Sequence, residues 1–439
     1  MNLQKSTICM YKRGREVVFF LLFTLLFPCF FANAQSTSTV DELKNQIQKI
    51  TDTKAQLAKE IADYEKQLKD LGTQSTSLSN TIKSLDATIK KNTLDIQLTQ
   101  KNIDSTALEI EQLSIDIGKN VDLINQDTQA IGVLVKEVNN IDNSTFIENI
   151  FAYKDLSELW NNLEQVSLIQ NSIREKVVET RNTKTTLENN KTEAEKKKAD
   201  FLKFKSKLVD QKNVLNITKQ EKNKLLVDTK NSETNYKKML ADKKAISDAL
   251  DKELVQFQSQ LDIAFSASSF PAPRKGILSW PLSKVIITQS FGMTDFAKTT
   301  TAYNGNGHNG VDFGTSIGTP IFAAQDGVIA GTGNTDIVCP GASYGKWVFI
   351  NHPNGLSTLY GHLSLVKVSK GDHVSVGDVI GYSGNTGFST GPHLHFGLYV
   401  TEGSAIMSIK SRVCQGTYTM PVADLRAYLN PLSYLPSLQ

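Results

Sequence analysis

The stretch Gly391-Pro392-His393-Leu394-His395-Phe396 gives the first indication of both fold and chemistry. His393 and His395 are two residues apart, so in a β-strand both imidazole rings point to the same face. Two imidazoles on one face can bind a single metal ion. Glycine is dense throughout the sequence that follows Pro271, which predicts compact β structure with tight turns.

Two further motifs lie upstream, His308-Asn309-Gly310-Val311-Asp312 and Tyr360-Gly361-His362-Leu363. His308 and Asp312 are four residues apart, which places both on one face of an extended segment, and Gly310 argues against a helix there. A catalytic zinc site keeps three protein ligands, of imidazole or carboxylate type, and a water. The sequence offers five such groups, of which three could bind metal and two could serve a reaction: His308, Asp312, His362, His393 and His395.

The sequence before Pro271 has a different character. All six histidines lie at or beyond His308, and after the first 34 residues no proline occurs until Pro271. The intervening sequence is rich in Lys, Asp, Gln, Asn and Leu, which predicts long helices. We therefore expect a helical region over residues 35–265, a linker over 266–275 and a β domain over 276–439.

A seven-residue repeat of isoleucine runs through the first part of the helical region, which predicts a left-handed coiled coil. Its members are Ile82, Ile89, Ile96, Ile103, Ile110, Ile117, Ile124 and Ile131. The companion row turns polar at Asn92, Thr99, Thr106, Asn120 and Asp127, which weakens the seam and can set its register. Turn-forming residues predict a break near 139–146, and a second helix carries Leu187, Ala194, Phe201, Leu208 and Leu215 at the same spacing.

Two long helices around one break fit an antiparallel hairpin, and a parallel homodimer is the alternative. The hairpin is favoured because the break divides the region nearly evenly. The predicted fold class is therefore multidomain, an all-α antiparallel coiled-coil arm followed by an all-β domain. The arm contains no catalytic constellation, so we expect it to serve spacing, partner binding or control.

Residues 1–34 have the pattern of a signal peptide. Four basic residues precede an apolar run over Val17–Phe31, and Ala32-Asn33-Ala34 gives a cleavage pattern. An uncleaved membrane anchor is the alternative. The segment's basic residues and Glu16 account for the whole net charge of +3. The mature chain is then near neutral, which argues against a nucleic-acid partner, and we expect it in the periplasm or the cell envelope or outside the cell.

Cysteine usage fits export as well. Cys9 and Cys29 lie in the predicted signal peptide, which leaves Cys339 and Cys414 in the mature chain. An exported protein with two cysteines can form one disulfide, so we predict a Cys339–Cys414 bridge, with two free thiols as the alternative.

The three histidine motifs resemble those of the lysostaphin/LytM-type peptidoglycan endopeptidases. The resemblance covers about Gly276–Pro436 and extends to a framework of short motifs: Trp280-Pro281, Phe291-Gly292, Gly318-Thr319-Pro320, Asp326-Gly327-Val328 and Gly384-Asn385-Thr386-Gly387. It implies Zn²⁺ held by His308, Asp312 and His395, with His362 and His393 as the catalytic histidines. Which of these two is the general base stays open. A structural zinc site is the alternative, although such sites are usually closed by four ligands and rich in cysteine.

The chain departs from the family in three places. Residues 332–343 and 401–419 look like insertions and carry the two cysteines, so a disulfide would brace one wall of the cleft. Gly397 stands where relatives often have an acidic residue.

His352 and His373 lie in turn sequences, and we expect both at the surface.

The layout of signal peptide, coiled coil and LytM domain also resembles murein hydrolase activators. This leaves two functions, a zinc endopeptidase that cuts stem peptides or cross-links during wall remodelling or daughter-cell separation, and a non-catalytic activator of a cell-wall amidase. The complete metal set favours the enzyme. The implied partners are peptidoglycan and, through the arm, a membrane-bound division or wall-remodelling complex. We further expect the arm to restrain the domain until a partner engages it.

Overall fold

The computed structural model describes residues 36–72, 77–142, 156–258, 266, 270–294, 297 and 307–438. The predicted signal peptide and residues 143–146 of the predicted break lie outside these residues. No helix within the described ranges is both long and apolar enough to cross a membrane.

The described residues of the arm form four helices, α1 (Ser36–Gly72), α2 (Leu78–Asp142), α3 (Leu156–Thr229) and α4 (Glu233–Gln258). The prediction of one helix up to residue 139 was wrong, because α1 ends at Gly72 and a separate helix, α2, begins at Leu78 and packs against α1. Lys91 Nζ of α2 lies 3.7 Å from Glu65 Oε1 of α1. The Ser77 side chain then caps α2 by accepting a hydrogen bond from the Asn80 amide at 3.2 Å. The heptad phase is the same on both sides of this break, so periodicity alone could not reveal it.

The two longest helices run antiparallel, which confirms the predicted hairpin. Ion pairs join Lys176 to Asp127 at 3.0 Å and Lys197 to Glu109 at 2.6 Å. A later residue of α3 therefore contacts an earlier residue of α2, as antiparallel helices require. Asp127, one of the polar positions in the predicted seam, is only 8% exposed. It also accepts a hydrogen bond from the Thr180 hydroxyl at 3.4 Å, so a one-turn slip would leave its buried charge without these partners.

Twelve strands lie in the part of the β domain that the structure describes, and the predicted all-β fold is confirmed. They are β1 (Ile287–Gln289), β2 (Gly310–Gly314), β3 (Pro320–Phe322), β4 (Gly327–Asn334), β5 (Lys346–Asn351), β6 (Leu356–Val366), β7 (His373–Val374), β8 (Val379–Ser383), β9 (His393–Val400), β10 (Ser404–Ser411), β11 (Gly416–Ala423) and β12 (Tyr428–Leu429). The main sheet is antiparallel in the order β1-β2-β9-β6-β5-β4-β7, β12 and β8 pair at its side, and β10–β11 form a separate hairpin.

The centre of the main sheet decides where the functional side chains lie. Val311, Phe313, Leu394 and Phe396 alternate with the motif residues of β2 and β9 and enter the apolar core, where each is fully buried. Because neighbouring residues in a strand point to opposite faces, the motif side chains share the other face. Asp312 pairs with His395 across β2 and β9.

The arm also packs against the β domain at β8. Val214 of α3 is 2% exposed and forms an apolar cluster with Ile317 and Tyr382. Asp210 of α3 accepts from Lys367 Nζ at 2.6 Å and from the Tyr382 hydroxyl at 3.1 Å. The helices are therefore fixed to the side of the domain by apolar and charged contacts together.

The expected surface position of His352 was wrong, whereas His373 is exposed. His352 is 5% exposed, because its ring turns inward from the turn before β6. Its Nδ1 lies 2.9 Å from the Asp326 carbonyl and its Nε2 lies 2.8 Å from the Thr358 hydroxyl. Burial lowers the pKa of His352 to about 4.

This burial predicts a pH-dependent stability that the His352→Gln variant should lose. The unfolded chain protonates His352 near pH 6.5 and the folded chain only near pH 4. The contribution is therefore complete above pH 6.5 and is lost as the pH falls towards 4, up to roughly 3 kcal/mol. Urea unfolding followed by tryptophan fluorescence at pH 7.5, 5.5 and 4.5 measures it. The stability of the wild type relative to the variant should fall by most of this amount between pH 7.5 and 4.5, and parallel curves would contradict the assignment.

Candidate metal centre and active site

Three side chains meet with the spacing of a metal site. His308 Nε2 lies 3.1 Å from His395 Nδ1, and Asp312 Oδ1 lies 3.0 Å from His395 Nδ1 and 3.3 Å from His308 Nε2. All three residues are buried. Ligand atoms about 2.0–2.1 Å from a tetrahedral zinc ion lie about 3.3 Å apart. The cluster therefore fits a small divalent metal held by three protein ligands.

The backbone brings these residues together because Gly310 lies close to the His395 ring. His308 forms an isolated bridge with Gly292 just before β2, and Asp312 and His395 are a cross-strand pair. A Cβ atom on Gly310 would lie 2.7 Å from both Cε1 and Nε2 of His395. Only glycine leaves room for the His395 ring between the two other ligands.

The hydrogen bonds and charges favour the protonation states that metal binding needs. The Ser290 carbonyl lies 3.1 Å from His308 Nδ1, and accepting its proton leaves the lone pair of Nε2 facing the cluster. Burial lowers the pKa of His395. Burial by itself would raise the pKa of Asp312, but its contacts with His393, His308 and His395 hold this pKa well below its usual range. A neutral His395 imidazole and an ionised Asp312 carboxylate are the forms in which these groups bind a metal ion.

His362 and His393 lie beside the cluster with their ring centroids 4.5 Å apart. His362 Nδ1 is 2.8 Å from the Thr386 carbonyl, and His393 Nδ1 is 2.8 Å from the Gly391 carbonyl. His393 Nε2 lies 3.7 Å from Asp312 Oδ1, which places it at the edge of the metal site. Burial, followed by the neighbouring charges of His393 and His395, lowers the pKa of His362 well below its usual value.

His362 has a left-handed backbone, with φ of 60°. This conformation costs a non-glycine residue about 1–2 kcal/mol, and such residues concentrate at functional sites. The His362 amide donates to the Tyr344 carbonyl at 2.8 Å, so the conformation is fixed from outside strand β6. The strained backbone supports a functional role for the side chain.

Tyr344 was not identified from the sequence, although it contacts the site directly. Its ring stacks on His395 with centroids 5.3 Å apart, and its hydroxyl accepts from Asn309 Nδ2 at 2.9 Å and contacts the Tyr399 hydroxyl at 3.2 Å. These partners lie in β9 and in the segment just before β2, both far from Tyr344 in sequence, so no local motif could identify the residue. Gly397 gives Tyr399 its space, since a Cβ there would lie 2.9 Å from the Tyr399 ring.

The five motif residues line one cleft of about 910 Å³. One wall of this cleft comes from the arm, where Ser247, Asp251 and Leu254 of α4 face the motif residues. The structure thus brings together every side chain that the sequence proposed for metal binding or catalysis, and it adds a helix that the sequence did not place there.

Residues 306–407 match the sequence profile described as Peptidase family M23. Two similar curated proteins are the peptidoglycan DD-endopeptidase ShyA of Vibrio cholerae, 44% identical over 106 residues, and the glycyl-glycine endopeptidase ALE-1 of Staphylococcus capitis, 43% identical over 94 residues. The catalytic domain of lysostaphin from Staphylococcus simulans is a similar solved structure, at 29% identity and a TM-score of 0.26, covering 34% of this chain and 90% of that one.

The two curated matches cover 24% and 21% of this chain and only 23% and 25% of the relatives' own lengths. The profile match at residues 306–407 covers the strands that carry the three histidine motifs and lies outside the helical arm. The C-terminal part of the chain is therefore a peptidase family M23 (LytM-type) domain, joined here to a long coiled-coil arm.

Proposed function

We propose that this chain is an exported zinc endopeptidase that cuts peptide bonds of cell-wall peptidoglycan during wall remodelling or daughter-cell separation. The observation that carries the proposal is the buried His308–Asp312–His395 cluster with His362 and His393 in the same cleft. The names of the two relatives support the substrate class, since one acts on peptidoglycan and the other on glycyl-glycine bonds. Because these bonds differ, the bond cut by this chain is left unassigned.

The roles of the residues follow from their hydrogen bonds. His308, Asp312 and His395 would hold the zinc ion, which when bound polarises a carbonyl and lowers the pKa of a water molecule. Each of His362 and His393 donates its Nδ1 proton to a main-chain carbonyl, so each keeps an Nε2 lone pair. A neutral imidazole of this kind can accept a proton from the attacking water, and in its protonated form can donate to the oxyanion. The low pKa of His362 keeps this residue neutral near pH 7.

The rival function is activation of a cell-wall amidase without cleavage, through the arm and the LytM domain. The extended arm suits a binding role, and helix α4 in the cleft suits a domain whose access is controlled. The five intact groups favour cleavage, because a purely binding domain has no physical need to keep a strained His362 beside three converging ligands. In this proposal the arm restrains the peptidase until a partner engages it.

Purified mature chain tests the function directly. We expect one zinc per chain and release of muropeptides from isolated peptidoglycan, identified by mass spectrometry. Helix α4 narrows the cleft, so the same assay should include a Leu254→Ala chain. This change removes an apolar side chain from the wall that α4 forms. One zinc per chain with no muropeptide release by either chain would contradict the proposed peptidase function. Stimulation of a purified amidase in that case would establish the rival function.

A further inference from the structure

The Cys339–Cys414 disulfide joins two segments that lie outside the main sheet. Cys339 follows a short 3-10 turn at Thr335–Ile337, Cys414 lies in the turn between β10 and β11, and their Cα atoms are 5.5 Å apart. The β10–β11 hairpin pairs with no other strand of the described structure. We call residues 335–345 and 404–423, with this bond between them, the disulfide lobe.

Helix α4 is seated on the disulfide lobe by apolar contacts. Leu250 of α4 is 3% exposed and belongs to one buried cluster with Cys339, Tyr344 and Tyr418. Leu254 and Phe257, one and two turns further along α4, pack against the same cluster. The spacing of these residues is that of a single helix face, so the lobe buries one side of α4.

A carboxylate fixes α4 to the turn that carries the disulfide. Glu253 Oε2 accepts a hydrogen bond from the Ser411 hydroxyl at 2.7 Å, and its Oε1 accepts from the Arg412 amide at 2.6 Å. Ser411 Oγ in turn accepts from the Cys414 amide at 3.1 Å. The geometry that Glu253 recognises is therefore the geometry of the disulfide-closed turn.

The seated helix faces the active-site cleft with neighbouring residues of the same turns. Ser247, Asp251 and Leu254 line the cleft together with the five motif residues. Leu250 and Glu253 lie between these three α4 residues in sequence. A small rotation of the helix therefore cannot release its contacts with the cleft and keep its contacts with the lobe. Whatever holds α4 on the lobe also holds it over the cleft.

We propose that the disulfide lobe is the docking surface for helix α4, and that the bond keeps this helix across the active site. The bond then limits activity in the full chain, which is the opposite of what a brace for the catalytic residues would do. This inference rests on the proposed peptidase function, because it describes how access to that site is controlled. The segment that occupies the docking surface is residues 244–258 of this chain.

The test compares two ways of releasing α4 in the full mature chain. Leu250→Ala with Glu253→Ala removes the seat from the arm side and leaves the β domain unchanged. Treatment of the wild type with a trialkylphosphine reductant opens the bond from the lobe side, and Cys339→Ser with Cys414→Ser does so without reductant. Ser408→Ala, an exposed position on β10, is the control. The readouts are muropeptide release, zinc content and hydrogen exchange of residues 244–258.

We expect every released form to keep its zinc, to exchange faster over 244–258 and to cleave about tenfold faster, since minor open states are populated to roughly 10% or less. Unchanged exchange in the arm-side variant would overturn the docking surface. Slower cleavage or lost zinc after reduction would overturn the role of the bond and assign it to the catalytic site instead. Faster exchange with full zinc and no cleavage in any form would support docking and contradict the proposed function.

Discussion

A His395→Ala chain is expected to lose its metal and, with it, at least about 10³-fold in cleavage rate. His395 contributes one of three converging ligand atoms, 3.0 Å from Asp312 Oδ1 and 3.1 Å from His308 Nε2. Metal polarisation of substrate and water supplies several kcal/mol, and each 1.4 kcal/mol is about tenfold in rate. Metal content by mass spectrometry and muropeptide release by chromatography measure the two losses.

The matched control for this variant is His373→Ala, which removes an exposed histidine from the same domain. It should keep both metal and activity. Metal affinity in a competition with a chromophoric chelator should fall by more than about 100-fold for His395→Ala, since even outer partners of ligands contribute 10–100-fold. A His395→Ala chain that still binds one metal ion tightly would show that the ligand set is wrong.

His362→Asn and His393→Ala are expected to separate catalysis from metal binding. Neither ring belongs to the three-ligand cluster, so both chains should keep the full metal content. Loss of a positioned acid or base lowers the rate by about 10²–10⁴-fold. Asparagine is chosen at position 362 because it tolerates a left-handed backbone better than alanine, so the change tests the imidazole and not the strain.

The pair of variants also distinguishes the two histidines. Both should be measured for metal content and for the pH dependence of cleavage. The histidine that acts as base controls the acidic limb of the profile, and its loss flattens that limb. If either variant keeps more than about a tenth of wild-type activity, the corresponding ring is a packing residue and leaves the mechanism proposed above.

Much of the site could be predicted because its information is local. The spacing of His393 and His395 puts both rings on one face of β9, and Gly310 permits the approach that a larger residue would block. The isoleucine repeat similarly predicts a long coiled coil, since a stripe of apolar residues must be covered. The two cysteines outside the predicted signal peptide allow only one pairing with each other, and the structure joins them.

Other features are set by contacts between distant segments. The break after Gly72 leaves the heptad phase intact, so the sequence pattern is the same with or without it. The turn containing His352 has an ordinary surface pattern, but the Asp326 carbonyl and the Thr358 hydroxyl draw the ring inward. Tyr344 contacts His395, Tyr399 and Asn309, which lie in segments far from it in sequence.

By itself the sequence determined the two-part architecture, the M23-type motifs and the five residues of the site. Side-chain periodicity and ligand spacing are properties of short segments, and short segments fix which groups can share a face. Only the tertiary structure decided that α4 lies across the cleft on the disulfide lobe. That position depends on Leu250 and Glu253 meeting segments that are far away in sequence, and no local pattern encodes such a contact.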